Sequence, residues 1–242
     1  MKLPESSCAR CADQTGKVEG VVTGLILKHV RTHLGMKTKR PKQRLKELPV
    51  SLPDGTANVP VADHPFFLTL QEFPGLGVLG FPPGDPQELS MRLHTSPETG
   101  NRQDALGKEV GVPLAYNAMA MQRMLAKMAH SYAAAVLGLE AFNPWLLGVI
   151  LGKRSARPPN WLVGSIPGQN MPAPGVSNND KMPPISHTIR LSRGVDRSGV
   201  PLLLCEITLF EQHGMPVYHV AVGSLPTGSD CPEAIASYTQ ET

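Results

Sequence analysis

Leu202-Leu203-Leu204-Cys205-Glu206-Ile207-Thr208-Leu209-Phe210 decides the fold class, because it reads as the middle strand of a three-stranded meander. Its neighbours are Ile185–Ser192 and Pro216–Gly223. Asp196 through Gly199 supply the first turn and Gln212-His213-Gly214 the second. Upstream, Tyr116, Met121, Leu125, Met128, Tyr132, Ala135 and Leu139 mark one face of a long helix from about Leu114 to Leu137, ended by Gly138. One long helix laid on an antiparallel sheet is an α+β layer pair, and that is the expected fold class.

Between these parts the chain reads as turns and short pieces. Leu48–Leu52, Asn58–Ala62 and Phe66–Leu70 are expected strands, with Asp54-Gly55 turning between the first two. Residues 82–112 and 154–184, rich in Pro, Gly and polar residues, read as a long loop and a surface excursion. Pro144–Leu151 reads as a short helix capped by Asn143 with Pro144 at its first position. The tail after Pro226 reads as unstructured. His64 before Pro65 reads as a turn residue, His130 as satisfied or exposed, and His219 as facing solvent or a polar neighbour. None of the three is assigned catalysis.

The N-terminal end is different in kind. Ser7-Cys8-Ala9-Arg10-Cys11 is a Cys-x-x-Cys pair, followed by turn residues Asp13, Thr15 and Gly16. An apolar stripe of Val18, Val22, Leu25, Ile26, Val30 and Leu34 then predicts a helix from about Lys17 to Leu34, closed by Gly35. Gly20 and Gly24 offer a G-x-x-x-G spacing for close packing on a neighbour. Two thiolates are half of a tetrahedral zinc site. His29 and His33, at i and i+4, are the candidates to complete Cys8 and Cys11, although the 17-residue gap from Cys11 to His29 exceeds finger spacing.

Charge is concentrated in the same region. Lys17 to Lys46 carries +8 within a chain whose net charge is +3, residues 1–16 balance, and residues 47–242 carry −5. Lys28, Arg31, Lys37, Lys39, Arg40, Lys42 and Arg44 are therefore candidate nucleic-acid contacts, since phosphate binding releases counterions. The expected organisation is a segment 1–46 with knuckle, helix and basic strap, then an α+β domain over 47–242. No apolar run reaches the roughly 20 residues of a membrane span. The absence of an apolar leader and the placing of four cysteines in two distant groups predict a reducing, cytoplasmic setting without membrane partners. Phosphate-binding loops of the G-x-x-x-x-G-K-[ST] and G-x-G-x-x-G kinds are absent, as is a G-x-S-x-G elbow.

The Cys-x-x-Cys, the Gly-containing turn, Glu19 and an apolar helix ending in a basic strap resemble the second half of a bacterial HNH-endonuclease-like domain. The stretches Arg123–Ala133 and Leu209-Phe210 with Pro216–Gly223 are similar to uncharacterised proteins of that group. The resemblance implies metal-dependent phosphodiester hydrolysis, with a strand histidine as general base and a divalent cation such as magnesium wherever a complete site exists. Carried over by position, Cys8 and Cys11 match the second zinc pair and Glu19 the acidic helix residue. Ala12 stands where the family often has Asn. The first cysteine pair and the general-base histidine have no counterpart in this sequence, so the expectation is an N-terminally truncated, inactive relative with structural zinc. Two alternatives stand beside it: a non-catalytic protein that binds nucleic acid or another acidic partner through residues 28–46, and a structural protein in which Cys8 and Cys11 of two chains share a zinc ion.

Overall fold

The computed structural model describes residues 9–36, 45–82, 90–95, 111, 115–153, 159–166, 185–211, 215–226 and 234–240. The architecture is α+β, with helices on an antiparallel sheet. The sheet is built on the expected meander: β7 (Ile185–Val195), β8 (Pro201–Leu209) and β9 (Val217–Ser224). Their register runs from His187↔Leu209 to Val195↔Pro201, and from Thr208↔Val217 to Leu202↔Ser224. A shift between Leu203 and Leu204 leaves Val222 as an extra residue on β9, a β-bulge. The first turn forms where expected. Asp196 Oδ1 accepts from the Ser198 and Val200 amides at 2.8 and 2.9 Å, the Asx bonding that lets aspartate replace a backbone partner.

Three more strands widen this sheet to six. β10 (Ala234–Gln240) pairs antiparallel with the outer side of β7, so the tail after Pro226 contains a strand rather than being unstructured throughout. On the other edge, β9 is shared by two short strands. β5 (Asn143–Pro144) pairs with Gly223 and Ser224, and β6 (Val163–Ile166) with Val217–Val220. Asn143 and Pro144 are thus strand residues, and the helix expected there is reduced to α4 (Leu147–Ile150). Pairing with β9 claims the two residues that local sequence offered as cap and first turn. The excursion 154–184 likewise includes α5 (Pro159–Leu162) leading into β6.

Two further ribbons are antiparallel pairs. β1 (Glu47–Leu52) and β2 (Gly55–Pro60) form the expected hairpin, with Leu52 opposite Gly55. β3 (Phe67–Glu72) pairs with β4 (Ser90–Thr95), inside a stretch that reads as loop from sequence. The β3 ribbon is clipped to the large sheet by buried side chains. Ser165 Oγ accepts from the Phe73 amide and donates to its carbonyl, each at 2.8 Å, and the Tyr218 hydroxyl donates to the Gln71 carbonyl at 2.8 Å.

The long helix α3 spans Ala118–Leu137, starting later than Leu114 because Asn117 caps it: its Oδ1 accepts from the Ala120 amide at 2.9 Å. Gly138 ends it at φ 85°, a conformation that favours glycine. Met121, Met124, Leu125, Ala129, Tyr132 and Ala133 are buried, whereas Tyr116 and Leu139 lie outside the helix and are exposed. α3 touches β8, β9 and the N-terminal helix, and residues from all of these share one hydrophobic core.

Candidate functional site

The N-terminal helix begins at Ala9, not Lys17, and runs to His33 with one irregularity. α1 (Ala9–Val21) passes into a π-helical turn (Val22–Ile26) and then α2 (Lys28–His33). In that turn the Leu27 amide donates to the Val22 carbonyl, 2.8 Å, five residues back instead of four. The Thr23 carbonyl, which Leu27 would otherwise use, accepts from Arg31 Nη1 at 2.9 Å. The extra residue advances the buried stripe. Val18, Val22, Leu27, Val30 and Leu34 are inside, Ile26 is half-buried, and Leu25 is 56% exposed. A uniform 3.6-residue period places Leu25 and Ile26 in that stripe; with the π turn Leu25 faces out, while Ile26 still packs against the edge of the core. Gly20 and Gly24 do not mediate close packing, because a Cβ at either would meet nothing within 4 Å.

This shift in helix face presents His29 and His33 to the turn after β2, where His64 is wholly buried. His33 Nε2 and His64 Nδ1 are 2.9 Å apart, and His64 Nε2 lies 3.4 Å from the Pro49 carbonyl of β1. The carbonyl can only accept, so it places a proton on His64 Nε2 and leaves Nδ1 to accept from His33. The His29 ring meets His64 edge-on at 5.3 Å between centroids, and His33 meets Phe66 at 5.5 Å. His29 is half-buried, and its Nδ1 is buried with no hydrogen-bond partner among the described residues. Burial first, then the neighbouring His64 and Lys28, lowers its pKa to about 4, so the imidazole is neutral at physiological pH.

The other site candidates are dispersed. Cys11 sits in the first turns of α1, half-buried, and Cys8 lies outside the described residues. The 18 residues from Cys11 to His29 follow a continuous helical path, about 27 Å of rise at 1.5 Å per residue. A single site joining Cys11 to His29 and His33 is therefore not formed. Glu19 is committed elsewhere: Lys127 of α3 pairs with its Oε1 and donates to Thr15 Oγ1 at 3.0 Å, fastening α1 to α3. Lys28 and Arg31 are on α2, both half-buried, and Arg31 is engaged by the π turn. Lys37, Lys39, Arg40, Lys42 and Arg44 fall outside the described residues. As the side chains stand, no group of three or more His, Cys, Asp or Glu among the described residues is set to hold a metal ion. Sequence reasoning missed His64. Its only signal there is a histidine before proline, which says turn and does not say buried.

Among the described side chains, the other histidines, His130, His187 and His219, do not converge on a site. His219 Nδ1 lies 3.9 Å from Glu206 Oε1, matching the polar neighbour expected for it, and His187 Nδ1 accepts from the Phe210 amide at 3.0 Å. His130 differs from its reading as satisfied or exposed. It packs edge-on against Phe142, with Nδ1 buried and unbonded among the described residues. Desolvation lowers its pKa below 6.5, so the folded state favours the neutral ring. The unfolded chain then binds the extra proton first as pH falls. Stability that is full above about 6.5 declines from there towards the lowered folded value. His130→Leu should make that limb of a pH–stability curve shallower; urea titrations from pH 8 to 5 check it, and an unchanged limb would assign the acid sensitivity elsewhere.

No helix among the described residues is long and apolar enough to cross a membrane. Comparison of the chain with protein-family models, with curated proteins and with solved structures finds no match.

Proposed function

We propose that the chain is a non-catalytic nucleic-acid-binding protein whose contacts come from the basic segment beginning on α2. The observation that carries this reading is charge segregation: +8 between Lys17 and Lys46 against −5 over residues 47–242. A block of that sign and density matches the phosphate backbone, while the acidic remainder repels it, so binding is confined to one region. The resemblance of the N-terminal segment to HNH-type domains supports the same class of partner. Absence of catalysis is part of the proposal, since Glu19 is held by Lys127 and the resemblance supplies no general base.

Fluorescence anisotropy with a labelled duplex of about 25 base pairs tests it. Affinity should fall steeply as KCl rises from about 50 to 200 mM, by roughly tenfold or more if about three phosphates are neutralised. Replacing Lys37, Lys39, Arg40, Lys42 and Arg44 together by alanine should weaken binding alike across unrelated sequences. The salt slope should flatten as well, by about one for every phosphate no longer neutralised. Binding that ignores salt, or survives all five substitutions, would overturn the assignment.

A further inference from the structure

We propose that His29, His33 and His64 form a binding site for a divalent transition metal of the zinc class, separate from the Cys8–Cys11 pair. Imidazole nitrogen is the ligand type such ions prefer, and the i, i+4 spacing of His29 and His33 suits two ligands on one helix face. The third ligand comes from the turn after β2, so a bound ion would tie α2 to the β1–β2 hairpin.

The geometry lies close to that of a site, with one pair already facing. Two nitrogens bound tetrahedrally at about 2.05 Å to one zinc ion are roughly 3.3 Å apart. His33 Nε2 and His64 Nδ1 stand at 2.9 Å, joined by a hydrogen bond. To share an ion the two rings must separate by about 0.4 Å and also tilt, because lone pairs aligned along a hydrogen bond have to converge at a tetrahedral angle on the metal. His33 then carries its proton on Nδ1 in place of Nε2, so both rings bind as neutral imidazoles and no net proton is released. His64 is oriented for this role by the Pro49 carbonyl behind its Nε2, the outer hydrogen bond that metal-binding histidines use to fix their tautomer.

His29 is the second, independent observation. Its ring neighbours His64, and its Nδ1 is a buried nitrogen with no hydrogen-bond partner among the described residues. Rotation of this ring towards the His33–His64 pair supplies the third bond, and water fills the fourth position. That rotation, opening of the hydrogen bond and a tilt of the His33 and His64 rings separate the present arrangement from a closed site.

The full chain, stripped with chelator and dialysed at about pH 7.5, should take up one Zn²⁺ per chain. Co²⁺ in its place should give visible d–d absorption of low-coordinate geometry. His29→Gln and His33→Gln should each lower zinc affinity by about tenfold or more, with circular dichroism confirming that both variants fold. Cys8→Ser should leave affinity unchanged. For His64, whose burial makes substitution risky, long-range ¹H–¹⁵N spectra of the unaltered chain should show its Nδ1 signal move on adding Zn²⁺. No uptake by the unaltered chain, uptake indifferent to both glutamine variants, or loss on Cys8→Ser would each overturn the proposal.

Discussion

Gly223→Ala is expected to destabilise the fold by roughly 3 kcal/mol, lowering Tm by about 6–12 °C for a chain of this size. Gly223 sits on β9 opposite Pro144. A Cβ there would lie 2.2 Å from the Asn143 carbonyl oxygen, 2.9 Å from its carbon and 3.2 Å from the Phe142 ring. The nearest atoms are backbone, so no side-chain rotation relieves the overlap and β5 must move off β9. Phe142, 3% exposed, and the bond from the Trp145 amide to the Val222 carbonyl would move with it. Gly16→Ala provides the opposite sign in the same assay. A Cβ at Gly16, inside α1, meets nothing within 4 Å, and alanine in a helix is favoured over glycine by about 0.5–1 kcal/mol. Thermal unfolding of the two variants beside the parent chain decides the matter. A neutral Gly223→Ala would mean that β5 stands farther from β9 than the close approach of Asn143 implies.

Leu125→Ala should cost a similar amount, about 3 kcal/mol, by a different mechanism. Leu125 is fully buried in the middle of α3, where it belongs to the core shared by the sheet and the N-terminal helix. Truncation removes its transfer free energy and leaves a cavity that neighbours on several elements cannot jointly fill. Urea titration should show a lower midpoint with an unchanged slope. Met119→Ala on the same helix is the control: Met119 is 52% exposed, so its loss should stay within about 0.5 kcal/mol. A cost below about 1 kcal/mol at Leu125 would mean that α3 is not the helix that seals the sheet.

These two positions differ in how far local sequence marks them. Leu125 lies on the expected helix face, because an amphipathic helix states its buried side in its own spacing. Nothing local marks Gly223, whose constraint comes from Asn143, 80 residues away. The same division runs through the sheet. β8 is legible from its apolar residues and from the Asp196–Gly199 turn beside it, both local features. Ser90-Met91-Arg92-Leu93-His94-Thr95 and Ala234-Ile235-Ala236-Ser237-Tyr238-Thr239-Gln240 have weak apolar patterns and no turn joining them directly to their partners. They are strands because β3 and β7 offer unpaired edges, and backbone hydrogen bonding to an edge requires little of the sequence that joins it.

The candidate site obeys the same logic. His29 and His33 are visible in the sequence as an i, i+4 pair, and the basic segment is visible as charge. The pairing of those imidazoles with His64 instead of Cys11 is not. Two non-local facts bring it about. The helix starts early enough to carry Cys11 away from the histidines, and the π turn shifts every residue of α2 by one position around the helix. A 3.6-residue period fitted to the sequence has no means of showing which residue is extra, since the choice is stabilised by Arg31 on Thr23 and by burial of Leu27.

By itself, then, the sequence determined the α+β class, the central meander, the long helix and the segregation of charge, because each is written in short-range periodicity, turn chemistry or composition. Tertiary structure alone decided the outer strands, the face that α2 presents, the pairing of Glu19 with Lys127 and the assembly of three histidines. Each of these depends on which distant backbone edge or side chain arrives alongside, and that is set by the packing of the whole core.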